Sequence, residues 1–280
     1  MHGRLVWAIG LALLAVPAAG QIADSVLVRG RYIVEIAANC GGCHTPLDVN
    51  HRPIAAQSLA GGRVFAERGF RAVAPNITPD RTTGIGAWTD AEIAASLRAG
   101  RHRDGHPIGP PMPTELYRRL SDADIVAIVA YLRTVPAVSR NVTDRSHYAF
   151  PVTAVIGQRH VAAPADDPVS RGAYVAGPLA HCTHCHTPII RDERRNWSRT
   201  GAGGVAFTGP WGAAVSANIT PSGIGTWSNT RIVAELTTGH DPDGRLLAPP
   251  MSSHAAVWRA LSPRDMTDLL AYLRTLPPSD

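Results

Sequence analysis

The chain has no lysine: all 27 of its positively charged residues are arginines. Electrostatic docking must therefore use planar, weakly hydrated guanidinium groups and not mobile ammonium groups. The net charge of +5 is scattered along the sequence with no basic run, which excludes a nucleic-acid-binding protein of the usual kind. Cysteine is equally scarce, four in 280 residues, and so is methionine, also four. Only one long apolar run is present, Leu5 to Val16, behind Arg4 and ahead of Pro17 and the small residues Ala18 to Gly20. It is shorter than the ~20 residues a membrane span needs, and it has the pattern of a secretory signal over residues 1–20, with a mature start near Gln21.

In an exported protein four cysteines would suggest two disulfides. Here all four lie in two copies of one motif, CGGCHTP at Cys40–Pro46 and HCTHCHTP at His181–Pro188. In C-x-x-C-H the two cysteines can reach the two vinyl positions of one haem edge, and the next residue then lies under the iron as an axial imidazole. A four-cysteine zinc site would want its pairs some 15 to 20 residues apart, whereas these are about 140 apart, and a thioredoxin-like pair would want a βαβ context. The expectation is thus two covalently attached haem c groups, held by Cys40, Cys43, Cys182 and Cys185, with His44 and His186 as proximal ligands. His181 and His184 have no counterpart in the first motif, and His184 is expected at the surface, pointing away from the iron.

Superimposing the motifs brings out a repeat of about 140 residues. RGRYIVEIAANCGGCHTP lies over RGAYVAGPLAHCTHCHTP, and NITP at Asn76 over NITP at Asn218. GIGAW at Gly84 matches GIGTW at Gly223, GPPM ending at Met112 matches APPM ending at Met251, and YLRTVP at Tyr131 matches YLRTLP at Tyr272. One unit copied in tandem accounts for this, with domains at 21–136 and 170–280 and a linker at 137–169 running along the surface.

Each unit reads as helical, and the expected fold class is all-α with long irregular loops wrapping the haems. An apolar helix precedes each motif, over about 25–39 and 170–181, its last turn carrying the first cysteine. A second helix begins after each tryptophan, with Thr89 and Glu92 forming a capping box and Gly100 the stop, and Ser228 capping alone in the second unit. Ser121, and Ser262 followed by Pro263, open the last helices. The segments 52–81 and 191–221 are glycine-rich and read as irregular, long enough to wrap a prosthetic group. Asn76 and Asn218 mark either a turn or a contact to a haem propionate, Trp88 and Trp227 core packing, and Tyr131 and Tyr272 packing on the first helix of their own unit.

The sixth iron ligand follows by elimination. Met1 leaves with the signal, Met266 has no partner in the first repeat, and Met112 and Met251 occupy equivalent places behind two prolines that stiffen the loop. The competing histidines do not line up: His102 falls opposite Asp241, His106 opposite Arg245 and His240 opposite Arg101. A His/Met pair raises a haem's reduction potential and closes the site to substrate, which points to electron carriage and not to catalysis. The alternative, a dihaem peroxidase or a thiosulfate-oxidising cytochrome, would need an exchangeable iron or a fifth cysteine.

With these motifs in place the chain resembles the multihaem cytochrome c subunits of bacterial membrane-bound alcohol, aldehyde and gluconate dehydrogenases. The likeness rests on C-x-x-C-H-T-P, N-I-T-P-D-x-x-T-G-I-G-x-W-T-x-x-E-I, P-P-M-P and Y-L-R-T-V-P. Such subunits usually carry three units and a membrane-associating tail, against two units here. The resemblance implies tandem class I-type cytochrome c domains and residence in the periplasm, at the inner-membrane surface if peripherally attached. It also implies a dehydrogenase as electron donor and another cytochrome or a terminal oxidase as acceptor.

Overall fold

The computed structural model describes residues 19–67, 69–209 and 211–279. Apart from Ala19 and Gly20, the expected signal segment lies outside the described residues. The first helix, α1 (Ala19–Arg31), widens into a π-helical segment, Tyr32–Ala37, where Ala38 N–H donates to Ile33 O at 2.8 Å. It does not carry the cysteine as expected. Asn39 turns left-handed at φ 44°, and the cysteine motif forms a separate short helix, α2 (Cys40–His44).

Two antiparallel strands follow, β1 (Val64–Glu67) and β2 (Phe70–Val73). Next come α3 (Asp90–Arg98), with the full capping box of Thr89 and Glu92, then α4 (Thr114–Tyr117), and α5 (Asp122–Leu132), capped by Ser121. In the segment read as a linker, β3 (His147–Tyr148) adds to β2.

The same succession then recurs: α6 (Pro168–Tyr174), a π-helical segment Val175–Leu179, a left-handed His181 and α7 (Cys182–Cys185). The hairpins β4 (Ile189–Arg191) with β5 (Arg194–Arg195) and β6 (Ala206–Gly209) with β7 (Gly212–Val215) come next. The chain ends through α8 (Pro221–Ile224), α9 (Asn229–Thr238), α10 (Ala255–Arg259) and α11 (Pro263–Leu273).

The fold is therefore mixed, helices with three small antiparallel sheets, and not all-α. Strands β1, β2, β5, β6 and β7 lie in the glycine-rich segments read as irregular. Gly69 and Gly212, at φ 94° and 92°, close two of the hairpins, and their four-residue strands are too short and too exposed to show a strong period-2 apolar pattern.

Helix pairs α1 with α5 and α6 with α11 form the framework. Both crossings depend on a glycine: a Cβ on Gly30 would lie 2.0 Å from Ala127 O, and one on Gly172 1.9 Å from Asp268 O. Gly172→Ala must push the helices apart, and denaturant unfolding should show a loss of about 1–3 kcal/mol, the usual cost of overpacking. Beside each glycine an arginine grips the facing helix with both nitrogens, Arg29 on Asp124 (2.8 and 2.8 Å) and Arg171 on Asp268 (2.6 and 3.2 Å).

The halves also interlock. Tyr174 OH donates to Asp124 at 2.8 Å and accepts from Ser121 N–H at 2.8 Å, so a tyrosine of one half caps the last helix of the other. Tyr32 does the same with Asp265 (2.5 Å) and Ser262 (3.2 Å). Buried Ile33, Val34 and Leu120 from the first half and Val175, Leu179 and Leu269 from the second belong to one apolar cluster.

Candidate functional site: two cysteine-histidine turns

Each C-x-x-C-H motif is a single helical turn set off by a left-handed residue, Asn39 or His181, so its first cysteine starts a new helix direction. Cys40, Cys182 and Cys185 are partly covered, Cys43 is exposed, and none is in a disulfide. Burial pushes the Cys40 and Cys182 thiols up to about 12.

His44 and His186 are buried at 7% and 6% exposure, and burial lowers the pKa of both, favouring the neutral imidazole that a metal requires. His44 Nδ1 lies 2.9 Å from Pro75 O, and His186 Nδ1 lies 2.7 Å from Ala217 O. A carbonyl can only accept, so Nδ1 carries the proton and the Nε2 lone pair is left free to bind a metal. This is the backbone bond that fixes ring orientation and tautomer in metal-ligating histidines.

The supporting carbonyls escaped the sequence reading, although the signal was present: Pro75 and Ala217 immediately precede the two NITP motifs. Asn76 Oδ1 accepts from Thr78 N–H (2.9 Å) and Thr78 Oγ1 (2.7 Å), while its Nδ2 donates to Val138 O (2.8 Å) and Thr83 Oγ1 (3.0 Å). Asn218 Oδ1 accepts likewise from Thr220 N–H and Oγ1 (2.9 and 2.7 Å). The asparagines hold turns, and those turns aim the preceding carbonyls at the histidines. Gly61 and Gly203, both at φ 74°, donate to the carbonyls of His44 (2.6 Å) and His186 (2.8 Å). A side chain on either would strike the carbonyl carbon of Pro75 (2.4 Å) or Ala217 (2.6 Å), so only glycine permits this clamp. The threonine of each C-x-x-C-H-T-P acts similarly, with Thr45 Oγ1 accepting from Leu59 N–H at 3.1 Å and Thr187 Oγ1 from Gly201 N–H at 3.3 Å.

An arginine closes each turn from outside. Arg63 donates to Gly42 O, and buried Arg195 donates to His184 O at 2.5 Å. His184 is thus half-buried against Arg195, not on the surface as expected, because that guanidinium packs over the turn.

Met112 and Met251, on loops entering α4 and α10, are both half-buried, and Met112 packs against the apolar cluster. Trp88 and Trp227 pack on the same cluster, and their carbonyls are pinned by Arg133 (2.5 Å) and Arg274. Tyr131 packs against Gly30 of α1, as the sequence suggested, and its hydroxyl also donates to Glu35 just beyond that helix. A cavity of about 480 Å³ lies behind the first turn, lined by Val34, Asn39, Gly41, Leu59, Tyr131 and Val138, and is bounded by none of the predicted ligands.

A family model described as Cytochrome c matches residues 28–136. The diheme cytochrome c-type protein of Cereibacter sphaeroides is 31% identical over 256 residues, which span 86% of this chain and 83% of that protein. The chain belongs to the cytochrome c family. Family membership implies covalently bound haem c, and the residues of the turns fit it: unpaired cysteines beside a buried histidine with its Nε2 free. This cytochrome c is also similar to the fructose dehydrogenase cytochrome subunit of Gluconobacter japonicus, 33% identical over 262 residues, 89% of this chain and 52% of that subunit. The alcohol dehydrogenase (quinone) cytochrome c subunit of Gluconobacter oxydans is 29% identical over 296 residues, 98% of this chain and 60% of that protein. The chain thus spans about half the length of the first of these relatives. No helix among the described residues is long and apolar enough to cross a membrane.

Proposed function

We propose that this cytochrome c is an exported, periplasmic dihaem electron carrier that serves a dehydrogenase as donor and another cytochrome or a terminal oxidase as acceptor. Residues 21–136 would hold one haem through Cys40, Cys43, His44 and Met112, and residues 170–280 the other through Cys182, Cys185, His186 and Met251. The observation that carries the reading is the duplicated histidine geometry, in which both imidazoles donate through Nδ1 to a backbone carbonyl. When bound, haem c supplies reversible one-electron chemistry. The protein's part is to hold each Nε2 in place, exclude water from it and keep the two turns close.

Their closeness is supported by Tyr117, whose ring meets His181 edge-on at 5.0 Å between centroids, next to Cys182. Burial and the neighbouring Cys40 and Cys43 raise the pKa of Tyr117 well above its ordinary value, so one side chain lies beside both motifs. The dehydrogenase partner is proposed from the relatives named for fructose and alcohol dehydrogenases. The holoprotein mixed with such a dehydrogenase and its substrate should be reduced during turnover and reoxidised by a downstream cytochrome. Haem that stays oxidised with every dehydrogenase of this group would sink the carrier reading.

A further inference from the structure

Between α3 and the loop that bears Met112, the turn RHRDGHP has a feature its counterpart lacks. A bridge between Arg101 and Pro107 frames it, His102 N–H donates to His106 O at 2.9 Å, and Gly105 N–H, at φ 92°, donates to His102 O at 2.8 Å. The second half repeats this backbone at HDPDGRL, with Asp241 N–H to Arg245 O at 2.9 Å and Gly244 N–H to Asp241 O at 3.0 Å. There the side chains satisfy one another: Arg245 lies 2.8 Å from Asp241 and 3.0 Å from Asp243, so a cation of the chain itself sits over both carboxylates.

In the first half that internal cation is missing. His106 stands at the place of Arg245, His102 at that of Asp241, and Asp104 at that of Asp243. Asp104 Oδ1 lies 2.9 Å from His102 Nδ1 and 2.5 Å from His106 Nδ1. The two rings stack with centroids 4.4 Å apart, and the edge-on contact of His102 with Trp88, 4.7 Å between centroids, fixes one of them. One donor atom from each of the three side chains falls within 4.8 Å of the others, the only such trio of His, Cys, Asp or Glu among the described residues.

We propose that His102, Asp104 and His106 form a binding site for a divalent transition ion, with zinc the natural occupant of this N₂O donor set. Two imidazoles and a carboxylate are borderline ligands that suit zinc and copper and reject calcium or magnesium. The hydrogen bond from the His102 ring holds the Asp104 carboxyl at about 2, so it is ionised at neutral pH, while an ion must displace any proton on the imidazoles. Donor atoms held ~2.0–2.1 Å from a tetrahedral ion lie about 3.3 Å apart, so the two Nδ1 atoms, now 2.9 and 2.5 Å from Asp104 Oδ1, need only open by less than an ångström to admit one. His106 and Asp104 are exposed, leaving the remaining coordination positions to water. The site uses no haem-binding residue and is independent of the carrier reading.

The test is a calorimetric titration of the haem-loaded protein with zinc chloride at pH 7.5. Wild type should take up one equivalent that both the His106→Gln and Asp104→Asn variants lose or bind at least ~10-fold more weakly, since even a lost supporting bond costs 10–100-fold. His240→Gln, on the counterpart turn, should bind as wild type does, and an unchanged haem spectrum verifies the fold of each variant. Absence of zinc uptake by wild type, or equal uptake by wild type and the His102→Gln/His106→Gln double variant, would overturn the site.

Discussion

Met112→Ala is expected to remove half of the long-wavelength absorption that ferric iron shows with a methionine sulfur, while leaving both haems covalently attached. In the proposed reading attachment is through Cys40, Cys43, Cys182 and Cys185, in turns set off by Asn39 and His181, and Met112 is on a different element, the loop entering α4. Met251→Ala should remove the other half and open the second iron to added imidazole. Each variant should also lower one of two reduction potentials, because a thioether ligand raises the potential of the iron it binds. A variant that keeps both sites closed and the band at full strength would show that another side chain occupies that position.

The second large effect concerns the joint between the halves. Asp124 is 6% exposed and accepts from Arg29 of its own half and from Tyr174 of the other. Asp124→Ala leaves the guanidinium and the hydroxyl without their acceptor. Breaking a buried pair costs ~3–5 kcal/mol, and since the Arg29 side chain is 37% exposed the lower end, ~3 kcal/mol, is expected in denaturant unfolding. Tyr174→Phe isolates the bond between halves and should cost ~1.5–3 kcal/mol, the range for a hydrogen bond to a charged group. A change in Asp124→Ala within about 0.5 kcal/mol, the range of surface substitutions, would show that this joint contributes little.

What the sequence made legible was chemistry tied to a residue type at a fixed spacing. The C-x-x-C-H motifs pointed to the cytochrome c family to which the chain belongs, and Thr89 with Glu92 formed the capping box its spacing implied. Less legible were features whose acceptor is backbone or whose partner is remote. Pro75 O and Ala217 O support the histidines through atoms every residue has, so only their register against NITP could have revealed them. Nothing local to Tyr174 or Tyr32 shows that each caps a helix of the opposite half. The hairpins at 64–73 and 206–215 were hidden by their shortness, and the break at Asn39 by an apolar pattern that runs on to the cysteine. His184 was misplaced because Arg195, eleven residues on, covers it.

The central claim, that both turns bind haem through cysteine, histidine and methionine, is tested most directly by one redox titration followed by absorption. The protein would be produced with haem-attachment machinery, and its haem content per chain measured on the same sample. Two covalent haems per chain, both low-spin, both contributing to the methionine–iron band and both reduced and reoxidised reversibly, is the predicted result. A single haem, or a second iron that is high-spin and exchanges ligands, would contradict it.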